Sequence, residues 1–522
     1  MDDRPSEKCD GPANRRVRAT LSPIAPHPSR LSRRDFLHST GALLVPAVAA
    51  SGPVEPGEIV NDVHAQLSET RVRRIVRPLT ADDVAHAIRE SASRGEAVSI
   101  CGARHAMGGQ PFGGDTLLLD MRALSRVRAF DRDRGLIDVE SGIQWPELVT
   151  YLIDAQRTTA RSWGIRQKQT GADRLTIGGA MAANAHGRGL TMAPFVGDIE
   201  SFELIDASGD RRVCSRTSNP ELFRLAIGGY GLWGVVTAAT LRLAPRRKVQ
   251  RIVEVRPVDG LMEAFAARIA EGFLFGDFQY AIDPASPDFM RKGVFSCYRP
   301  VPDDTPMQAQ KELSDEDWGG LIQLAHTDRS RAFDRYATYY LSTSGQVYWS
   351  DVHQLSTYLD DYHRALDARA AGARGTEMIT EIYVPRPALE AFFADVRETF
   401  RNSAVPIVYG TVRLIEQDSE TVLPWARQPW ACTIFNLHVE HTPAGIERAA
   451  DAFRTLIDLG LKRQGSYFLT YHRYARRDQV EAAYPRFVEF LQLKQKYDPA
   501  SRFQSDWWRH YRNMFADRLQ RG

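Results

Sequence analysis

Cys101-Gly-Ala-Arg-His-Ala-Met-Gly-Gly-Gln110 follows directly on Ala97-Val-Ser-Ile-Cys101, a short β-branched and apolar run that predicts a strand feeding a loop of small residues. Further along stands a second such stretch, Thr176-Ile-Gly-Gly-Ala-Met-Ala-Ala-Asn-Ala-His-Gly187. Glycine and alanine let backbone N–H groups come close to phosphate oxygens, and successive amides in a turn make an anion-binding concavity without a lysine. Two such loops read as a clamp for a diphosphate. His105, in the middle of the first, adds the expectation of a covalent tether to the ligand.

Composition sets the frame for that reading. The chain has 522 residues, 43% hydrophobic and 25% charged, long enough for two cores and unlike a disordered chain. A formal charge of +2, with Lys and Arg dispersed, argues against a nucleic-acid partner and for a small molecule. The cysteines Cys9, Cys101, Cys214, Cys297 and Cys432 lie far apart without C-x-x-C spacing, so neither a disulfide framework nor a redox pair is implied.

The first 55 residues read as a leader. Ser32-Arg33-Arg34-Asp35-Phe36-Leu37 precedes an apolar run from Gly41 to Ala50, with Ala47-Val48-Ala49 as the expected cleavage site. This is the twin-arginine export pattern, and the run is too short for a permanent membrane helix. It predicts passage through the twin-arginine translocase and a bacterial periplasmic or secreted location.

Beyond the leader an α/β texture begins. Arg74-Ile-Val-Arg77 predicts a strand, Thr80 a helix cap with Asp82 and Asp83 in the first turn, and Val84, Ala87, Ile88 and Ala92 one buried face. Thr116–Asp120 and Leu136–Glu140 predict strands, and Trp145-Pro146-Glu147 a helix start. Asp206-Ala-Ser-Gly-Asp210 between two β-rich runs predicts a hairpin. Gly229-Tyr-Gly231-Leu-Trp-Gly234 fits G-x-G-x-x-G, but the β-branched Val235-Val-Thr-Ala-Ala-Thr-Leu-Arg-Leu243 that follows reads as strand, which argues against a Rossmann nicotinamide site. Near residue 250 the texture changes to longer helical patterns such as Pro387–Arg397 and alternating strands such as Thr433–Glu440; residues 301–316 read as a surface loop.

In order and spacing, the His105 loop, Thr176–Gly187, Asp198-Ile-Glu-Ser-Phe-Glu-Leu204 and Gly228-Gly-Tyr-Gly-Leu-Trp-Gly-Val-Val-Thr237 resemble the FAD-binding (PCMH-type) domain of the vanillyl-alcohol oxidase flavoproteins. The resemblance implies an α+β fold: a two-lobed FAD-binding domain of two α/β subdomains at 68–246, a substrate cap with an antiparallel sheet at 247–475, and a segment at 476–522 returning to the FAD domain. Implied FAD contacts are Gly102, Ala103, Arg104, His105, Ala106, Met107, Gly109, Gln110, Thr176, Gly178, Gly179, Asn184, His186, Gly187, Gly234, Val235 and Val236.

Within that superfamily His105 with Gly109-Gln110 resembles the G-H-S-x-x-G-Q loop of cytokinin dehydrogenases and sugar or polyol oxidases, whose histidine bonds the flavin 8α-methyl. Ala106 replaces the serine and Arg104 the preceding glycine. His186-Gly187 resembles the aldonolactone and decaprenylphosphoryl-ribose oxidase branches, and Asp498-Pro499 and Phe503-Gln-Ser-Asp506 resemble the end of the latter. Tyr471 falls where the latter has a lysine, and the His-Trp-x-Lys of the former is absent.

The function implied is oxidation of a CH–OH group of a sugar, polyol, lactone or related molecule, with oxygen, a quinone or a carrier protein taking the electrons. Hydride passes to flavin N5 while a base takes the hydroxyl proton. Candidates for that base are Tyr471, His472 and His438, with Arg413 in Thr-Val-Arg-Leu as an anchor for substrate or flavin. A dehydrogenase and a flavin-binding protein without turnover are the alternatives. No metal is expected: in His438-Val-Glu-His441 strand alternation sends the two histidines to opposite faces, and a third ligand is not evident. Tyr339-Tyr340 and Trp507-Trp508 read as packing.

Overall fold

The computed structural model describes residues 57–159, 161–356, 362–369 and 374–519; the expected leader, with Cys9 and its arginine pair, lies outside them. Three strands, β1 (Arg74–Val76), β2 (Val98–Cys101) and β3 (Leu117–Asp120), form a parallel sheet in the order β1-β3-β2. Helix α1 (Ala81–Ser93) makes the crossover. Its start follows the sequence: Thr80 accepts from Asp83 N while the Asp83 carboxylate accepts from Thr80 N, a reciprocal cap, and Val84, Ala87 and Ile88 are buried against the sheet.

The second lobe is a five-stranded sheet. Its members are β4 (Val127–Asp131), β5 (Leu136–Glu140), β6 (Ile199–Ile205), β7 (Arg211–Ser215) and β8 (Val235–Arg242), in the order β7-β6-β8-β5-β4. The β6–β7 hairpin turns where expected, the Asp206 carboxylate accepting from Ser208 N and Asp210 N. The stretch after Gly234 is strand and pairs with both β5 and β6. Between the strands lie α2 (Trp145–Ala155) and α3 (Ile177–Ala183). The short α3 corrects the reading of 176–187 as loop throughout: Thr176 caps it by accepting from Gly179 N, and the alanines that follow are strong helix formers.

From Lys248 on the chain builds an eight-stranded sheet with helices on both faces. The strands are β9 (Lys248–Pro257), β10 (Phe275–Tyr280), β11 (Lys292–Val301), β12 (Val347–Trp349), β13 (Gly375–Pro385), β14 (Ile407–Ile415), β15 (Trp430–Glu440) and β16 (Ser466–Tyr467), ordered β12-β9-β11-β10-β14-β15-β13-β16 and antiparallel throughout. The helices are α4 (Leu261–Ala270), α5 (Asp315–Thr327), α6 (Arg329–Ser342), α7 (Tyr362–Arg369), α8 (Leu389–Phe400) and α9 (Pro443–Leu461).

Alternation along the sheet decides where the site lies. On β13, Met378, Ile382 and Val384 are buried in the same apolar core as Phe435 and Leu437 of β15 and as Phe265, Phe392, Phe393 and Phe453 of α4, α8 and α9. Each such side chain contributes about 1.5–3 kcal/mol of burial. The intervening positions, Glu377, Ile379 and Glu381 on β13 and Ile434, Asn436 and His438 on β15, take the opposite face by the two-residue period of a strand.

The carboxyl-terminal segment runs back to the parallel sheet. Val98 N donates to Arg502 O at 2.7 Å and Gln504 N to Val98 O at 2.9 Å, while Trp507 and Trp508 are fully buried. Lys494, also fully buried, is paired with Asp498, whose carboxylate accepts from the backbone of Arg502 and Phe503. The four cysteines among the described residues are buried free thiols. Among these residues no helix is long and apolar enough to cross a membrane.

Candidate active site

The polar face of the eight-stranded sheet and the two small-residue stretches enclose one cavity of about 2070 Å³. That is about twice the upper end of an ordinary small-molecule pocket, room for a large cofactor and a second molecule beside it. Gly102 to Met107, Gln110, Thr176, Gly178, Gly179, His186, Gly234 and Val236 line it.

Four of the expected contacts stand behind that wall. Gly109 makes a left-handed turn at φ +77°. Asn184 caps α3, its amide donating to Asp418 and accepting from Val196 N. Gly187 packs on the Lys168 carbonyl, and Val235 alternates into the core.

The two stretches touch each other, which explains one glycine. A Cβ on Gly102 would lie 2.1 Å from Thr176 Oγ1, so no larger residue fits. Arg104 is left-handed at φ +64°, the conformation a glycine adopts at no steric cost, and its guanidinium lies 3.5 Å from the buried Asp120. Gln110 ties the loop to the carboxyl-terminal return by donating to Leu469 O at 2.8 Å.

His105 is half-buried, and its Nδ1 lies 2.7 Å from Nε2 of His64, a residue that no motif singles out. Burial first, and then His64, push His105 down to about 3; burial, with a contribution from His363, pushes His64 down to about 4. Both rings are neutral at physiological pH.

Deeper in, one carboxylate organises the wall. Glu381 Oε1 accepts from Tyr471 Oη at 2.7 Å, and Oε2 faces His186 Nε2 at 2.8 Å and Tyr383 Oη at 2.8 Å. Burial would raise the Glu381 carboxyl, yet His186, Tyr471 and Arg413 together hold it down to about 2. His186 Nδ1 is 3.1 Å from Gly187 O, so both ring nitrogens face acceptors. Burial and Glu381 push the Tyr471 phenol far above its usual range, so it is a proton donor at rest rather than a free base.

The other candidates separate. Arg413 faces the cavity, with its Nη2 on Thr170 Oγ1 and its Nε without a partner. His472 is turned away from the cavity, buried and stacked on Tyr474 with ring centroids 5.2 Å apart. His438 and His441 do point oppositely, His441 to Thr376 Oγ1 at 2.8 Å. His438, however, meets Glu377, its direct cross-strand neighbour, at 3.5 Å, and His326 from α5 joins them.

The far wall also holds residues that sequence reasoning passed over. Arg188 Nη2 lies 3.1 Å from His353 Nδ1, which leaves that ring's proton on Nε2, buried and without a partner at the cavity. Burial and Arg188 keep His353 well below the usual histidine range. Tyr339 and Tyr340 line the cavity as well as packing on each other, and the 301–316 loop contributes Met307 and residues 310–313 to its wall.

A dinucleotide fits this architecture. Ser141 Oγ and Gln169 Oε1 are buried at the cavity without a hydrogen-bond partner, and they flank the glycine-bearing walls of the two stretches. Residues 72–215 match the family model of the FAD binding domain, and the segment is an FAD-binding domain of the PCMH type. The chain thus carries an FAD-binding domain beside a cavity large enough for that cofactor and a second molecule, as befits an FAD-dependent oxidoreductase.

Over 469 residues, 86% of this chain and 95% of the relative, it is 23% identical to decaprenylphosphoryl-beta-D-ribose oxidase of Mycolicibacterium smegmatis. It is 25% identical over 442 residues, 83% of this chain and 95% of the relative, to L-gulono-1,4-lactone dehydrogenase of Mycobacterium tuberculosis. An oxidoreductase of the fasciation locus of Rhodococcoides fascians is 31% identical over 169 residues, 32% of this chain, and that match spans only 37% of the relative's own length.

Proposed function

We propose that the protein oxidises a CH–OH group of a sugar, polyol, lactone or related polyhydroxylated molecule. The observation that carries this reading is the hydrogen-bonded series Tyr471, Glu381 and His186 on the wall of a cavity shared with the FAD-binding loops. Bound FAD supplies the hydride acceptor; the protein supplies position and proton transfer. The phenol of Tyr471 takes the proton of the substrate hydroxyl while passing its own to Glu381, and His186 Nε2, 2.8 Å from that carboxylate, holds it in place. Arg413 Nε and His353 Nε2, each buried at the cavity without a partner, donate to substrate oxygens. The similarity to a ribose-moiety oxidase and a lactone dehydrogenase supports the same substrate class.

His105 would carry the flavin covalently. Its ring is neutral and therefore nucleophilic, and His64 fixes its orientation from the Nδ1 side. A tether also removes the dissociation route for a cofactor that an exported enzyme cannot readily replace.

Anaerobic mixing with sugars, polyols, lactones and aromatic alcohols tests the assignment. Loss of the flavin absorbance is expected with a member of the first three groups. Bleaching only by aromatic alcohols, or by no alcohol, would overturn it, and re-oxidation in air against a quinone distinguishes oxidase from dehydrogenase.

A further inference from the structure

We propose that His326, Glu377 and His438 hold a divalent transition ion at the end of the cavity, with an open coordination position facing inward. Glu377 Oε1 lies 3.1 Å from His326 Nε2 and 3.5 Å from His438 Nδ1, and the three residues offer one ligand atom each within 4.8 Å of one another. In a tetrahedral zinc site with bonds near 2.05 Å, neighbouring ligand atoms stand about 3.3 Å apart. The two Glu377–histidine spacings bracket that value.

The lone pairs converge instead of bonding to each other. Glu377 Oε1 and His438 Nδ1 are buried yet make no hydrogen bond of acceptable geometry, although each has the other within 3.5 Å. The Glu377 side chain is 7% exposed, and a carboxylate at that depth is costly unless cationic or hydrogen-bonding groups meet it, here the two histidines or an ion held between them.

A second layer fixes the carboxylate. Its other oxygen, Oε2, is held by Tyr362 Oη and lies 3.1 Å from His363 Nε2, both from α7. Outer partners of this kind orient a metal-binding carboxylate. The three ligands come from α5, β13 and β15, so one ion pins a helix to the sheet. His326 and Glu377 line the cavity, and three protein ligands with one position left open is the arrangement of zinc sites that bind water or substrate. A His₂Glu donor set suits zinc better than magnesium or calcium. The ligand taken at the open position is an oxygen donor, a substrate hydroxyl or water.

The other buried group of this kind, His186, Glu381 and Cys432, is different. Tyr471 and Tyr383 already occupy its carboxylate, and burial keeps the Cys432 thiol protonated.

The test uses the full chain, stripped with a chelator and titrated calorimetrically with Zn²⁺, with bound metal counted by mass spectrometry and ligands read by X-ray absorption. One equivalent on nitrogen and oxygen ligands is expected. His326→Ala and Glu377→Gln should weaken binding about 100-fold or more, Tyr362→Phe about 10-fold, and His441→Ala, on the opposite face of β15, not at all. Failure of the unsubstituted chain to take up zinc, a sulfur ligand in the absorption spectrum, or undiminished binding in His326→Ala and His438→Ala would each overturn the proposal. None of these readouts depends on turnover or on the flavin reading.

Discussion

His64 Nε2 meets His105 Nδ1 at 2.7 Å, and the two rings lie 4.8 Å apart at a tilt of 53°. A neutral His105 held at one nitrogen has its ring orientation fixed, so His64 controls the residue proposed to carry the flavin. After acid precipitation, unsubstituted protein is expected to keep its flavin in the pellet, and His105→Ala to release all of it. His64→Ala should leave a mixture, with the covalent fraction rising slowly on incubation with FAD. Flavin wholly in the supernatant from the unsubstituted protein would remove the tether.

Tyr471 and Glu381 are proposed to act as a unit. Proton transfer by a positioned side chain contributes typically about 10²–10⁴-fold, so Tyr471→Phe and Glu381→Gln should each lower kcat by that order with the flavin still bound. The double variant should be little worse than either single one, because the two residues share one proton path. Multiplying losses in stopped-flow flavin reduction would show independent roles.

Contact between the two small-residue stretches yields a stability cycle. Gly102→Ala puts a methyl 2.1 Å from Thr176 Oγ1 and should cost about 1–3 kcal/mol while weakening FAD retention. Thr176→Ala loses a helix cap, about 1 kcal/mol. Together they should cost less than their sum, since the second change removes the atom the first collides with. Additive urea midpoints would mean that the loops move apart freely.

Local chemistry makes the FAD lobe legible in the sequence. Thr80 with Asp83, Asp206 with its turn, and the β-branched run after Gly234 each decide a segment by contacts a few residues long. The exception there, α3, carries two glycines in its first turn, which hides a helix that Thr176 and the following alanines stabilise. The cap was harder for a physical reason. Glu377 and His438 are paired only by the register of β13 on β15, and His326 arrives from a helix more than fifty residues upstream of Glu377, so no spacing in the sequence announces the cluster. One signal was available: Glu377 and Glu381 are carboxylates of the same parity within an otherwise buried strand, where a charge persists only if it is paired. Tyr471 and His472 show the converse limit: they are adjacent in an irregular segment whose turns no periodicity reveals, and of the two only Tyr471 lines the cavity.

Acid stability gives a last test of the carboxylate at the centre of the wall. The Glu381 carboxyl is held at about 2 against an ordinary 4.5, because His186, Tyr471 and Arg413 outweigh its burial. A depressed acid stabilises the folded state fully above its unfolded value and loses that contribution as pH falls through the folded one. Native protein should therefore lose stability steadily between about pH 4.5 and pH 2, and Glu381→Gln, which has no such proton to take up, should be less stable at pH 7 yet fall less steeply. Urea midpoints at pH 7, 5, 4 and 3 should show the gap between the two proteins narrowing with acid. A gap that stays constant would mean that Glu381 is not held ionised by its neighbours, and the proposed proton path would lose its acceptor.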